Sequence, residues 1–148
     1  MKIETDRINA YDFAPLAMKA LMQVEAQIAD SGLEPQLVEL VKLRASQING
    51  CAFCIDLHSR TARRSGEVEQ RLYLLNAWRE SSAYSPRERA ALTWTERLTL
   101  VAEHHVPDSL FEEVSSHFSA QELTELTVMI GQINTWNRLA IAFGYQHS

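Results

Sequence analysis

Two cysteines and a histidine lie within one eight-residue segment, Cys51-Ala52-Phe53-Cys54-Ile55-Asp56-Leu57-His58. The chain of 148 residues contains no other cysteine. Because a thiolate, not a thiol, is the nucleophile, a working cysteine needs surroundings that lower its pKa and a base that accepts its proton. A cysteine pair with a histidine close by therefore predicts redox chemistry.

The cysteines are predicted to open a helix. Apolar residues recur at helical spacing from Pro35 to Ile48, Asn49-Gly50 ends that run, and a second helical run extends from Cys51 to Ser65-Gly66. The positive dipole end of a helix favours an anion, here a thiolate, and this effect fades beyond the first turn. We expect Cys51 and Cys54 to lie in that turn.

The same two helices predict a partner for the histidine. At positions i, i+3 and i+7, Cys51, Cys54 and His58 share one helical face, with His58 close enough to Cys54 for proton exchange directly or through one water. With a rise of about 1.5 Å per residue, Glu39 lies roughly 13 Å before the Asn-Gly turn and His58 roughly 11 Å after it. Glu39 is thus predicted to orient the imidazole and balance its charge.

The pattern Glu-x11-Cys-x-x-Cys-x3-His, formed by Glu39, Cys51, Cys54 and His58, resembles the core of the AhpD-like alkylhydroperoxidases within the carboxymuconolactone decarboxylase superfamily. The segment from Glu39 to Cys51 and the segment Ile133-Asn134-Thr135-Trp136-Asn137-Arg138-Leu139 resemble its small single-domain branch, so the resemblance covers most of the chain. It implies an all-α bundle that assembles as trimers or hexamers. It also implies a cysteine pair that reduces hydroperoxides or passes electrons between thiol partners.

By this resemblance, Cys54 would attack the peroxide, Cys51 would resolve the product, and Glu39 with His58 would relay protons. A dithiol or protein reductant of the lipoyl or thioredoxin type would then restore the thiols, with no cofactor or metal. The chain departs from the family pattern between the two cysteines. The mycobacterial type has a histidine between the cysteines, whereas this chain has Ala52-Phe53.

Other readings of the cysteine pair remain open. A structural zinc site usually needs four ligands, often from two separated pairs, and this chain has one pair. Two buried cysteines could pack as small apolar side chains. A permanent structural disulfide would close too short a loop to constrain the unfolded chain much.

The alternative functions are a thiol-disulfide reductase or adaptor for a peroxiredoxin or lipoyl protein, a carboxymuconolactone-type decarboxylase, and a non-enzymatic interaction module. The decarboxylases of this superfamily do not rely on a Cys-x-x-Cys pair.

Composition predicts one domain over residues 1–148 and narrows the range of partners. A hydrophobic content of 46% can build a core without metals or cross-links, and a net charge of −5 argues against nucleic-acid and anionic-membrane partners. The N-terminal residues lack an apolar signal segment, and the most apolar region, Leu126 to Phe143, is interrupted by polar residues. We therefore expect a cytoplasmic protein, where a reducing environment suits a cycling thiol pair.

Helical punctuation recurs along the chain and period-two alternation is absent, so the fold class is predicted as an all-α bundle of about six to seven helices. The predicted helices run approximately from Phe13 to Ala29, Pro35 to Ile48, Cys51 to Arg64, Val68 to Trp78, Pro86 to Ala102, Asp108 to His117 and Ala120 to Phe143. Ser85 and Ser119 are each followed by a glutamate three residues later, which predicts two capping boxes.

The last helix is apolar on more than one side, so it is predicted to be the bundle's central helix or part of a subunit contact. Asn134 and Arg138, at i and i+4, form a polar spot on it. They could line the cysteine pocket and bind a carboxylate, or they could form a satisfied hydrogen-bonded pair. The three tryptophans Trp78, Trp94 and Trp136 are predicted to fill the core or an interface.

Overall fold

The structure is a computed structural model that describes residues 3–147. Its helices are α1 (Ala10–Phe13), α2 (Pro15–Ala29), α3 (Pro35–Asn49), α4 (Ala52–Arg64), α5 (Glu69–Tyr73), a 3-10 helix (Leu75–Glu80), α6 (Pro86–Thr99), α7 (Asp108–Ser115) and α8 (Ala120–Phe143). Within residues 3–147 the extended backbone pairs at a single isolated bridge, between Thr5 and Tyr145. The all-α prediction is confirmed.

Helix α3 lies inside the bundle and packs against α4, α6 and α8. On one side, Val41 joins an apolar cluster shared with α6 and α8. On another side, Leu40 and Leu43 contact a second cluster around Leu75 and Trp78. Burying a side chain of this size stabilises a fold by roughly 1.5–3 kcal/mol. The core therefore fixes α3 from several directions, and with it the position of Glu39.

The region between α4 and α6 differs from the prediction. The single helix expected from Val68 to Trp78 is two short helices, and Ala77 has the non-helical angles φ −121° and ψ 28°. In a 3-10 helix, residues three apart lie on the same side. This geometry turns both Leu75 and Trp78, which are 0% and 3% exposed, into the core. Burial of these two residues therefore outweighed the preference for one continuous α-helix.

The first long helix also begins later than predicted. Ala14 has φ −136° and ψ 55°, and Pro15 opens α2. The proline ring disfavours helical angles at the preceding residue, so α1 remains a separate four-residue turn. The side chain of Asn9 caps this turn by accepting a 3.0 Å hydrogen bond from the backbone N–H of Tyr11. Tyr11 thereby reaches the pocket described below.

Both predicted capping boxes are present. The hydroxyl of Ser85 accepts from the N–H of Glu88 at 3.1 Å, and the Glu88 carboxylate accepts from the N–H of Ser85 at 2.8 Å. Ser119 and Glu122 repeat the arrangement at 3.1 and 2.9 Å. Caps of this kind stabilise a helix by about 1 kcal/mol. They fix where α6 and α8 begin, although α6 ends at Thr99, before the predicted residue.

The two ends of the described chain meet beside α4. Gly144 ends α8 in the left-handed region at φ 65°. The N–H of Gln146 donates to the carbonyl of Glu4 at 2.9 Å, and Arg7 donates to the carbonyl of Ala142 at 2.8 Å. These bonds hold the N-terminal segment against the end of α8. Across residues 3–147, no helix combines the length and apolarity needed to cross a membrane.

Candidate functional site

The two cysteines lie at the start of α4, directly after a tight connection. Gly50 ends α3 in the left-handed region at φ 69°, and Cys51 is the N-cap residue of α4. The N–H of Cys54, in the first turn, donates to the sulfur of Cys51 at 3.3 Å. The predicted turn between the two helices is confirmed, so α3 and α4 form a helical hairpin. The expected place of Cys51 is corrected, because it caps α4 from outside and Cys54 alone lies within the first turn.

The two sulfur atoms are bonded to each other as a disulfide, across a Cα–Cα distance of 5.3 Å. Cys51 is 1% exposed and Cys54 is 3% exposed, so the pair is buried. The two thiols can therefore be interconverted with a disulfide without a large movement of the backbone.

Glu39 of α3 and His58 of α4 are in direct contact. The Nδ1 atom of His58 lies 2.9 Å from Oε2 of Glu39, and each side chain is 12% exposed. Because a carboxylate can only accept, Nδ1 carries the proton and donates it, which leaves Nε2 as the nitrogen free to accept a proton. The structure thus brings together the two residues whose heights along the hairpin matched.

A cavity of about 340 Å³ opens beside this pair. Helix α4 contributes one wall through Phe53, Cys54, Leu57 and His58. The facing walls come from the two ends of the chain and from α2, through Ile3, Tyr11, Met22, Glu25, Trp136, Ala140 and Tyr145. Cys54 lines this pocket and Cys51 does not. A small molecule in the cavity would therefore meet Cys54 and not Cys51.

The carboxylate that lines the pocket, that of Glu25, is fully engaged. Glu25 accepts from Nζ of Lys42 at 2.9 Å through one oxygen and from Nε1 of Trp136 at 2.7 Å through the other. Lys42 is only 8% exposed, so Glu25 balances a buried charge. Sequence reasoning missed Glu25 and treated Trp136 as core or interface bulk. Its indole instead faces the cavity and ties α8 to α2.

Two phenol groups also line the cavity. Tyr11 donates to the sulfur of Met22 at 3.7 Å, a weak acceptor. Burial, and then the nearby Tyr145, raise the pKa of Tyr11 above its ordinary value, so its hydroxyl stays protonated. The Tyr145 ring meets Phe53 edge to face, with ring centroids 5.6 Å apart. The residue between the cysteines thus forms an aromatic wall.

A buried amide network joins α8 to α3 just before the cysteines. Asn137, which is 0% exposed, donates to the hydroxyl of Ser46 at 3.0 Å. Its side-chain oxygen accepts from Asn49 at 2.9 Å. The hydroxyl of Ser46 in turn donates to the carbonyl of Lys42 at 2.7 Å. Sequence reasoning did not single out Asn137, although its place among apolar α8 residues signalled a buried polar group.

Asn134 and Arg138 do not line the cysteine pocket. They border a separate groove together with the end of α6. Asn134 accepts from Asn49 at 2.9 Å and from Arg138 at 3.2 Å, and it donates to the carbonyl of Ile130 at 2.8 Å. The pocket alternative is therefore wrong, because on α8 it is Trp136 and Ala140, not this pair, that turn toward the cavity. The observed pair is the hydrogen-bonded one.

Among residues 3–147, no three side chains of histidine, cysteine, aspartate or glutamate come together in a group that could hold a metal ion. Both cysteine sulfurs are engaged with each other. The disulfide and the carboxylate-held imidazole beside it offer exchange at sulfur.

The chain is similar in sequence and in structure to known proteins. The sequence profile of the Carboxymuconolactone decarboxylase family matches residues 15–97. The uncharacterized protein YdfG of Bacillus subtilis is 45% identical over 140 residues, which cover 95% of each chain. A crystal structure from Agrobacterium tumefaciens, of a protein of unknown function suggested to be the antioxidant defence protein AhpD, is 48% identical. It superimposes with a TM-score of 0.92 over 98% of this chain and 99% of that one.

A more distant structure shares the fold. An uncharacterized peroxidase-related protein from Silicibacter is 24% identical, with a TM-score of 0.81 over 93% of this chain and 73% of that chain. At this level of identity the likeness shows the helical architecture alone.

Proposed function

Because the chain belongs to the carboxymuconolactone decarboxylase family, as an AhpD-like member, we propose that it is a thiol-dependent peroxidase that reduces organic hydroperoxides through Cys51 and Cys54. The observation that carries the proposal is the placement of Cys54, which lines an apolar pocket beside a histidine held by a partly buried carboxylate.

In the proposed reaction, His58 removes the proton of the Cys54 thiol, and the thiolate attacks the outer oxygen of the hydroperoxide. The O–O bond breaks, an S–O bond forms, and the released alkoxide takes up a proton to become an alcohol. Cys51 then attacks the sulfenic acid at Cys54, which gives a disulfide and water. The hydroperoxide is reduced by two electrons and the thiol pair is oxidised by two.

The assignment of Cys54 as attacker rests on access. Cys54 lies on the wall of the cavity, whereas Cys51 is 1% exposed and lies outside the cavity wall. The disulfide between Cys51 and Cys54, across a Cα–Cα distance of 5.3 Å, shows that the two side chains already lie together. Attack at Cys54 followed by resolution at Cys51 therefore requires little rearrangement.

The assignment of His58 as base rests on its hydrogen bond. With Nδ1 donating to Glu39, the free Nε2 belongs to a ring that lines the same cavity as Cys54. Glu39 holds this tautomer and stabilises the imidazolium that forms when the thiol is deprotonated. Glu39 is thus a positioning residue and His58 the base.

The proposed substrate is an organic hydroperoxide in preference to hydrogen peroxide. Most of the cavity wall is apolar or aromatic, and its volume of about 340 Å³ accommodates a small alkyl or aryl group. An apolar group buried there gains about 25 cal/mol for each Å² removed from water. Hydrogen peroxide has no apolar group to bury against this wall.

The disulfide requires a reductant to complete the cycle, and we propose an external dithiol, of the lipoyl or thioredoxin type. Its thiolate would enter by the same cavity, past Leu57, which is 46% exposed. The alternative function, thiol-disulfide exchange with a peroxiredoxin or lipoyl partner, uses the same step without the peroxide. The observed disulfide is compatible with both.

The test is anaerobic reaction of the reduced protein with cumene hydroperoxide, with thiols counted and the disulfide identified by mass spectrometry. Cys51→Ser should consume one equivalent of peroxide and trap a sulfenic acid, whereas Cys54→Ser should do neither. The reverse pattern would exchange the two roles. If the wild type loses no thiols while it still exchanges with dithiols, the reductase alternative replaces the peroxidase.

A further inference from the structure

The hydroxyl of Tyr145 is a buried polar group for which the fold provides no partner. Its oxygen has no hydrogen-bond partner among residues 3–147, and the residue is 9% exposed. Buried hydroxyl groups are nearly always hydrogen-bonded, because an unpaired one destabilises the fold. An exception in a native structure requires a reason, and a ligand that supplies the missing partner is one.

The location of Tyr145 indicates which ligand that would be. It packs in one cluster with Cys51, Cys54 and Ala140, and it lines the cavity that Cys54 lines. Its N–H donates to the carbonyl of Ala140 at 2.9 Å, and its backbone forms the bridge to the N-terminal segment. Phe53 meets its ring edge to face. The phenol is therefore held in place beside the sulfur pair.

The other hydrogen-bond donors among the side chains that line the cavity are already engaged. Glu25 accepts two hydrogen bonds, Trp136 donates to Glu25, and Nδ1 of His58 donates to Glu39. Tyr11 donates to a methionine sulfur. Tyr145 is thus the donor left available for an oxygen atom brought in by a substrate.

We propose that the Tyr145 hydroxyl binds the substrate by donating a hydrogen bond to the inner oxygen of the hydroperoxide, the oxygen that becomes the alcohol. The inference rests on the proposed function. When Cys54 takes the outer oxygen, the electron pair of the O–O bond moves to the inner oxygen. That alkoxide receives the proton that His58 removed from the thiol, while Tyr145 keeps its own proton and stabilises the developing charge.

The experiment measures binding without chemistry. Cumyl alcohol, the product of cumene hydroperoxide, carries the inner oxygen, and isopropylbenzene has the same apolar frame without it. Calorimetric titration into the disulfide form should show that Tyr145→Phe weakens cumyl alcohol about tenfold, the usual effect of one lost hydrogen bond, and leaves isopropylbenzene unchanged. Stopped-flow oxidation of the reduced protein by cumene hydroperoxide should slow by a similar factor.

Tyr84→Phe is the matched control. Tyr84 is 4% exposed, but its hydroxyl donates to the carbonyl of Arg71, in a different core cluster. Tyr84→Phe should lower the thermal midpoint and leave the affinity for cumyl alcohol unchanged. Tyr145→Phe should show the opposite pattern, with the affinity reduced and the midpoint not lowered, because no protein hydrogen bond is lost.

Equal affinity of wild type and Tyr145→Phe for cumyl alcohol would overturn the inference. So would a shift in the pH dependence of thiol alkylation with unchanged alcohol affinity, since the hydroxyl would then serve the reduced sulfur. A selective loss of cumyl alcohol affinity in a protein that consumes no peroxide would support the hydroxyl as a hydrogen-bond donor to a ligand oxygen and would contradict the proposed function alone.

Discussion

Glu39→Gln tests whether the carboxylate acts on the chemistry through the histidine. The substitution keeps an oxygen that can accept from Nδ1 of His58 and removes the charge. Two unit charges about 4 Å apart interact by roughly 4 kcal/mol at an effective dielectric constant of 20. Because both side chains are 12% exposed and the neutral amide still accepts, we expect about 1.5–2.5 kcal/mol of this to be lost, or roughly 10- to 70-fold in rate.

His58→Ala should cost more, about 10²- to 10⁴-fold, the usual range for a lost general base. The assay is rapid-quench trapping of the sulfenic acid in a Cys51→Ser background, so that resolution does not contribute. Asp56→Asn is the matched control, because Asp56 lies on the same helix and pairs with Arg60 at 3.0 Å instead of lining the cavity. It should change the rate less than about twofold, as surface ion pairs contribute little.

The double variant decides whether Glu39 is a positioning residue. If it acts only through the imidazole, Glu39→Gln combined with His58→Ala should be no slower than His58→Ala alone. Raising the pH should partly restore both His58→Ala proteins, because thiolate then forms without a base. Two effects that multiply would show that Glu39 acts independently. A His58→Ala protein as fast as wild type at every pH would refute the relay.

Three further predictions concern stability and assembly. Asn137→Ala should lower the free energy of unfolding by about 1–3 kcal/mol, because a fully buried side chain loses its hydrogen bonds to Ser46 and Asn49, and a loss below about 0.5 kcal/mol in urea denaturation would contradict the network. Burial raises the pKa of Glu88, but hydrogen bonds from Arg71 and from the α6 cap lower this pKa by a larger amount, so the net shift is downward. The stability this carboxylate adds is present above the unfolded pKa of about 4.3 and is lost as pH falls through the lower folded value, so Glu88→Gln should show a shallower acid transition than wild type by circular dichroism. The protein is expected to be a homo-oligomer, a trimer or hexamer, since Val128 and Ile141 of α8 are about half exposed and Leu16, in the first turn of α2, is 82% exposed. A monomeric mass in light scattering at micromolar concentration would contradict this.

The half of the site that α3 and α4 form could be predicted from the sequence, because it depends on residues close together along the chain. The Asn49-Gly50 stop and the helical rise were enough to bring Glu39 level with His58, and the structure joins them at 2.9 Å. Serine and glutamate spacing likewise predicted the starts of α6 and α8. Each of these features depends on residues within about twenty positions of one another along the chain, where helical geometry alone determines the distances.

The facing half of the site depends on packing between distant segments. Tyr11, Glu25 and Tyr145 enter the cavity because α1, α2 and the chain end close over α4, and no local pattern encodes that contact. The Asn134 and Arg138 alternative failed for a related reason. Helical periodicity shows which residues share a face, but the rotation of α8 against α3 decides which face meets the cavity. The hydrogen bonds of the buried Asn137 amide to Ser46 and Asn49 join α8 to α3 in the observed rotation.

The disulfide is asymmetric, and this asymmetry determines the order of events in the proposed cycle. Cys54 lines the cavity, so a reducing thiolate that enters there attacks the Cys54 sulfur and displaces Cys51. The Cys51 sulfur lies at the N-cap of α4 and accepts an N–H from the first turn at 3.3 Å. In the proposed cycle, the positive end of the helix dipole would stabilise the Cys51 thiolate as it leaves. The start of α4 would thus serve both half-reactions of the proposed cycle, because Cys54 lines the cavity that would admit the oxidant and Cys51, at the helix terminus, would be the thiolate displaced by the reductant.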